Sequence, residues 1–210
     1  MTILAFEFSS AQRSVALARG GIVLSEAVES GGYRVTNAFG LTEQVLAAAN
    51  VLREEVEVIS VGIGPGSYTG IRAAIALAQG WQLARGIKLL GVSSAECLAA
   101  QAQAEKIFGR VNVVVDAQRG EFYLAGWEIS EFERTEISPL KIVAAAEMAA
   151  LKSAGAICVG PDAKKILFPS AAMVSRLAAH RSDFVAGEKL VPIYLRETAF
   201  VKAAPVARNY

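Results

Sequence analysis

The chain opens with a largely apolar run at 2–8 closed by Ser9 and Ser10. A run of that length ending in turn residues predicts a buried strand. Two more short apolar runs, at 14–18 and 22–28, flank Arg19-Gly20-Gly21, a hairpin signal because glycine supplies positive φ. From 37 to 53 the period changes: Phe39, Leu41, Val45, Leu46, Ala49 and Leu52 recur at helical spacing, with Thr36 or Asn37 as the cap. A strand at 56–63, a helix at 71–85, a strand at 87–92 and a helix at 94–107 follow. Helices that alternate with strands favour parallel pairing.

Beyond Gly109 the pattern begins again, with a strand at 111–115, a strand at 121–127, and Asp116-Ala117-Gln118-Arg119-Gly120 between them. AQRSVALA at 11–18 lines up with AQRGEFYLA at 117–125 once one residue is inserted, and each follows an apolar strand ending in an acid, Glu7 or Asp116. Either coincidence or duplication accounts for this echo; duplication divides the chain into an N-terminal lobe at 1–108 and a related lobe at 109–210. A helix at 144–152, a strand at 156–159, a turn at Gly160-Pro161-Asp162 and a helix at 171–179 complete the second half. Pro192-Ile193-Tyr194-Leu195-Arg196 then leads into a proline-containing tail.

Composition narrows the classes. Hydrophobic residues make up 53% of the 210 positions and charged residues 20%, more apolar surface than one small core needs, so some of it is expected to meet a partner. A net charge of +1 is far from the basic balance of a stand-alone nucleic-acid binder. Cys97 and Cys158 form no CxxC or Cys/His metal spacing and read as small buried residues in a reducing compartment. With no basic segment leading a long apolar one at the N-terminus, and no membrane-length apolar run, the expectation is a soluble cytoplasmic protein.

The glycine-rich stretch GPGSYTG at 64–70 joins a strand to a helix. It is not a Walker loop, because Ile71 follows Gly70 where a lysine would be required. It also lacks the spacing of a dinucleotide fingerprint. What remains is a turn with Ser67 and Thr69 as caps and Arg72 in the first helical turn, either a tight connection or an anion site at a helix N-terminus. In the helix that follows, Ile71, Ala74, Ile75, Ala78 and Trp81 form one apolar stripe, and Ala73, Ala76, Leu77, Gly80, Leu83 and Ala84 form another. A helix apolar almost all round has to be covered on both sides. A sheet supplies one cover; the other is either a second molecule or the helices at 39–52 and 94–107.

Catalytic constellations are scarce. The one histidine, His180, lies among charged residues, and there is no HxxxH or HExxH pair to hold zinc or iron. Ser67 has no evident base and lies outside a GxSxG frame. Glu7 and Asp116 stand where a phosphate-and-magnesium site would place carboxylates, or where turn-side carboxylates make local hydrogen bonds.

GPGSYTGIR at 64–72, GVSS at 91–94, DAQRGEFY at 116–123 and PIYLR at 192–196 together resemble, in order and spacing, the TsaB (YeaZ) family over nearly the whole chain. The resemblance implies an α/β protein of the ASKHA fold, the actin-like ATPase and sugar-kinase-like architecture of two duplicated lobes with mixed sheets flanked by helices. It implies a non-catalytic partner of TsaD in making tRNA N6-threonylcarbamoyladenosine at adenosine thirty-seven of ANN-decoding tRNAs, scaffolding TsaD and helping to recruit the ATPase TsaE. It further implies a homodimer in isolation, tRNA met only through the complex, no membrane, no metal and no intrinsic cofactor, with ATP or ADP entering in the complex. The partner interface expected from it comprises Phe39, Val45, Leu46, Tyr68, Ile71, Ala74, Ile75, Ala78 and Trp81, and the nucleotide-side residues are Glu7, Ser9 and Asp116.

Two departures stand out. Members commonly read Asp-Thr-Ser where this chain has Glu7-Phe8-Ser9, and Phe8 removes a hydroxyl that would meet a phosphate. A His-Ser step often opens the first helix of members, where this chain has Thr36-Asn37. The competing expectation is a small-molecule kinase or ATPase of the ASKHA fold that uses Asp116 and Glu7 around magnesium.

Overall fold

The computed structural model describes residues 1–30 and 37–195; Thr36, one of the expected caps, and Arg196 of the last motif lie outside them. Two five-stranded mixed sheets carry the fold. The first contains β1 (Thr2–Glu7), β2 (Gln12–Arg19), β3 (Ile22–Ser30), β4 (Val58–Gly62) and β5 (Lys88–Val92), in the order β3-β2-β1-β4-β5. β1, β2 and β3 form an antiparallel meander, and β1, β4 and β5 run parallel.

The second sheet repeats that order. β6 (Gly109–Gln118), β7 (Glu121–Ile129), β8 (Arg134–Ala144), β9 (Ile157–Gly160) and the short β10 (Lys165–Ile166) lie as β10-β9-β6-β7-β8. Read from its other edge, this is the first sheet's arrangement, with an antiparallel meander and then parallel neighbours. Two mixed sheets of one topology, flanked by helices, are the architecture that the hairpin echo suggested. β8 was not foreseen: Pro139 and scattered charges weaken its strand pattern, which an edge position tolerates.

Helices α1 (Ala38–Ala49) and α2 (Tyr68–Arg85) cover one face of the first sheet, their buried positions merging with Leu4, Phe6, Val15, Leu17, Ile59 and Val61 in one core. Both have the caps their sequences supply. The Asn37 side chain accepts from the Gly40 amide, and Ser67 Oγ accepts from the Gly70 amide at 3.3 Å. Asn50 and Gly86 close the two helices in the left-handed conformation.

α3 (Ser94–Ala104) lies between the sheets. Its Cys97 packs into the core below the first sheet, while Ala95, Leu98, Ala99 and Ala102 join the core of the second. α4 (Ala145–Ser153) covers the outer face of the second sheet through Met148. α5 (Ala171–Ala178) returns to the first sheet, packing Ala171, Val174 and Ala178 against Ile3, Ala5, Ala16 and Val58. This helix, which follows the second sheet in sequence, shares with Cys97 of α3 the covering of that side of the first sheet.

After α5 the chain forms a strap. The Val185 amide donates to the Leu89 carbonyl at 2.9 Å, Gly187 exchanges hydrogen bonds with the side chains of Gln82 and Gln79, and the Ile193 amide donates to the Ile63 carbonyl at 2.9 Å. The strap runs along β5 and ends beside the start of α2.

Candidate functional site

Two places were marked by the sequence: the strand ends at Glu7 and Asp116, and the surface of α1 and α2. At the first, the β1 strand drops Glu7 into a fully enclosed position. Its Oε1 accepts the Ser9 amide at 2.7 Å and its Oε2 accepts the Ser94 hydroxyl at 2.8 Å. Burial pushes the carboxyl above its ordinary range, while the hydrogen bonds from Ser9 and Ser94 pull it back. Ser94 Oγ in turn accepts the Gly64 amide at 3.2 Å. One carboxylate thus ties the end of β1, the glycine loop and the start of α3 together.

The glycine loop lies directly on the chain after β1. The Ser67 amide donates to the Ser9 carbonyl at 2.7 Å. A Cβ on Gly66, whose φ is +146°, would collide with the Ser9 carbonyl oxygen, and one on Gly70 would collide with that of Phe8. Four amides around the loop are engaged within the chain: Ser9 with Glu7, Gly64 with Ser94, Ser67 with Ser9 and Gly70 with Ser67. The loop is a tight connection between β4 and α2.

Asp116 occupies the matching place on the second sheet but is arranged differently. Its two oxygens accept the Gln118 amide at 2.7 Å and the Gln118 side chain at 2.8 Å, and its own amide donates to Asp162 at 3.0 Å. These are turn-side bonds. Glu7 and Ser9 come together and are both buried, while Asp116 stays with Gln118 and Asp162 and shares no hydrogen-bond partner with them. Among the described residues no group of three or more His, Cys, Asp or Glu side chains is placed to hold a metal ion.

The surface of α1 and α2 divides the expected interface residues in two. Val45, Leu46, Ile71, Ala74, Ile75 and Ala78 are buried in the core under the first sheet; they are not available to a partner, because their stripe is the one that the sheet covers. Phe39 and Tyr68 are exposed, and Trp81 is half-buried. The outer face of α2 consists instead of the second stripe: Ala73, Ala76, Gly80, Leu83 and Ala84 are exposed and Leu77 half-exposed. Leu83 is 90% exposed and Phe39 72%.

A cleft of about 230 Å³ opens between the two helices, lined by Phe39, Thr42, Leu77 and Trp81 on its apolar side. Its rim is polar: Arg53 pairs with Glu43, and Arg85 donates to the backbone carbonyls of Arg53 and Glu54. An apolar centre with a charged rim is the anatomy of a protein interface.

At the start of α2 the structure assembles a cluster that the sequence pattern did not disclose. The Arg72 guanidinium stacks 4.1 Å from the centroid of the Tyr68 ring and its Nε donates to the Tyr194 hydroxyl at 2.9 Å. The two tyrosine rings are themselves 5.5 Å apart.

Comparison with known proteins places the chain in a family. Residues 4–196 match the family described as TsaD: tRNA N6-adenosine threonylcarbamoyltransferase. The chain belongs to this family, on its TsaB (YeaZ) branch. It is 29% identical over 131 residues to the tRNA threonylcarbamoyladenosine biosynthesis protein TsaB of Escherichia coli, covering 62% of this chain and 57% of that protein. It is 32% identical over 127 residues to the TsaB of Bacillus subtilis, covering 59% of this chain and 53% of that one. The chain thus spans about half the length of the curated relatives it matches.

Two solved structures of the branch extend the likeness to nearly the full chain. YeaZ from Pseudomonas aeruginosa superposes with a TM-score of 0.78 at 24% identity, covering 92% of this chain and 99% of that one, which is a likeness of fold. A crystal structure of an uncharacterized protein with similarity to peptidase YeaZ, also from Pseudomonas aeruginosa, has a TM-score of 0.78 at 27% identity, covering 93% and 99%. No described helix is long and apolar enough to cross a membrane.

Proposed function

We propose that this chain is a non-catalytic subunit in tRNA threonylcarbamoyladenosine biosynthesis that docks a TsaD-type transferase through the outer face of α1 and α2. The observation that carries the reading is the exposed apolar strip of α2, with Leu83 90% exposed beside Phe39 at 72% and the cleft between the helices. Leaving such a strip in water is unfavourable, and small residues at Ala73, Ala76 and Gly80 let a partner helix come close. Relatives named for threonylcarbamoyladenosine biosynthesis supply the pathway.

The same face serves a second copy of the chain when the partner is absent. Adenosine thirty-seven of ANN-decoding tRNAs is the target of the assembly, tRNA is met only through it, and the ATPase TsaE is recruited to the pair. A nucleotide, ATP or ADP, belongs to the complex rather than to this chain, in keeping with the closed glycine loop. The kinase alternative required Glu7 and Asp116 to face magnesium, and both have their oxygens engaged within the chain.

Sedimentation velocity of the protein alone and with the TsaD-type protein of the same organism, with and without ATP or ADP, tests the proposal. A new heteromeric species that Leu83→Asp abolishes is the expected result. Failure to associate under any condition, with ATP turned over by the single chain, would return the reading to a small-molecule kinase.

A further inference from the structure

Among the described residues, Arg72 is held by neither a carboxylate nor a carbonyl; Arg85 is engaged with the backbone carbonyls of Arg53 and Glu54, and Arg134 with the Gln103 side-chain oxygen. Arg19, Arg53 and Arg181 meet carboxylates of Glu55, Glu43 and Asp183. Arg72 has no carboxylate within ion-pair distance among the described residues, and α2 contains no acidic residue along its whole length. Two tyrosines hold it instead. Tyr68 stacks on one side of the guanidinium, and Tyr194, fixed by the strap through Ile193, takes the Nε proton.

An arginine fork has five N–H donors. With Nε bound to Tyr194, the terminal amino groups have no acceptor among the described residues. Fixing an exposed arginine costs side-chain entropy, and here that ordering is in place before anything binds. The cluster lies at the N-terminal end of the apolar face, one residue before Ala73. Tyrosine and arginine are the residue types that most often dominate the energetics of interfaces.

We propose that Arg72, clamped by Tyr68 and Tyr194, is the specificity point of this face and receives an Asp or Glu side chain of the protein that covers α2. The inference rests on the docking role proposed above. Charge complementarity selects a carboxylate of a protein rather than a nucleic acid: Arg72 is the sole cation of α2 besides Arg85, which is engaged at the opposite end with the carbonyls of Arg53 and Glu54, and binding to a phosphate backbone draws on several cations.

The test is affinity for the TsaD-type protein of the same organism, measured at low and high salt for wild type, R72Q, R72K, Y194F and L83D. R72Q is expected to weaken binding by about tenfold or more and to flatten the salt dependence. R72K, which keeps the charge but not the fork, recovers part of the loss, and Y194F, which frees the guanidinium, weakens binding by a smaller factor. Reversal of the charge in R72E is rescued by a lysine at one acidic position of the partner.

Because Arg72 is exposed, these variants keep the wild-type unfolding midpoint. Wild-type affinity in R72Q alongside lost binding in L83D overturns the carboxylate assignment and leaves the docking face standing. Wild-type affinity in L83D overturns the docking face itself. Unchanged partner affinity with weaker binding of an anticodon stem-loop in R72Q would transfer the fork to a phosphate and also overturn the proposal.

Discussion

Glu7 gives the sharpest test of the reasoning about the strand end. Replacing it with alanine leaves the Ser9 amide and the Ser94 hydroxyl facing a closed space without an acceptor. A buried donor left unmatched costs about 1–3 kcal/mol, so the pair amounts to about 2–6 kcal/mol. That is a large part of the roughly 5–15 kcal/mol that holds a typical domain folded. Glutamine keeps an oxygen for the Ser9 amide but presents a donor to the Ser94 hydroxyl, so E7Q leaves one of the two donors unmatched and is expected to cost about 1–3 kcal/mol at neutral pH, less than E7A.

The pH dependence separates the two forms further. Burial raises the Glu7 pKa above its ordinary 4.5, so the folded state holds the proton longer than the unfolded chain does. The contribution of Glu7 is fully present below that ordinary value and is lost as the pH rises through the raised one. Glutamine cannot ionise. Urea unfolding followed by tryptophan fluorescence, from weakly acid to neutral pH, should show the stability difference between wild type and E7Q shift in favour of E7Q as the pH rises. Parallel profiles, or a loss in E7Q equal to that in E7A, would refute the account of a buried carboxyl serving as a hydrogen-bonded tie.

Three further outcomes follow from other parts of the structure. Ala78→Asp places an unpaired charge in the core and should lower stability in urea by about 3–5 kcal/mol, whereas Leu83→Asp on the outer face should change it by about 0.5 kcal/mol or less. Gly66→Ala has to push the glycine loop off the Ser9 carbonyl and should lower the thermal midpoint by an amount that corresponds to about 1–3 kcal/mol. Cys97 and Cys158 are both buried, and burial pushes both thiols up, that of Cys97 strongly; an aromatic disulfide reagent should titrate them rapidly only after unfolding.

The alternation of periods in the first half was readable because each element is bounded by its own punctuation. Ser67 and Gly86 bracket α2, Asn37 and Asn50 bracket α1, and Gly20-Gly21 turns the β2–β3 hairpin. The duplicated topology was visible in two aligned hairpins. Which stripe of α2 faces the sheet was not: both stripes are apolar, and a 3.6-residue period identifies faces without saying which one packs. The helix covered on both sides is α3, whose alanines and Leu98 fill the space between the sheets.

Glu7 ends β1, whereas Asp116 lies inside β6, which runs on to Gln118, and the environment of both acids depends on residues far away. Glu7 is enclosed partly by Ser94, and Asp116 lies beside Asp162. The Arg72 cluster is further from view still, because Tyr194 reaches it only through a strap that follows the whole second sheet.

The return of α5 to the first sheet bears on how the protein is made. On the ribosome, β1 to β5 emerge early, but the face lined by Ile3, Ala5, Ala16, Val58, Leu90 and Val92 has only Cys97 of α3 against it until Ala171–Ala178 has been synthesised. At about 5–20 residues per second that interval is on the order of ten seconds. During it the nascent chain displays one open apolar face of its first sheet, a natural client for chaperones that shield translating polypeptides, and a chain that ended within the second sheet would lack the helix that covers this face.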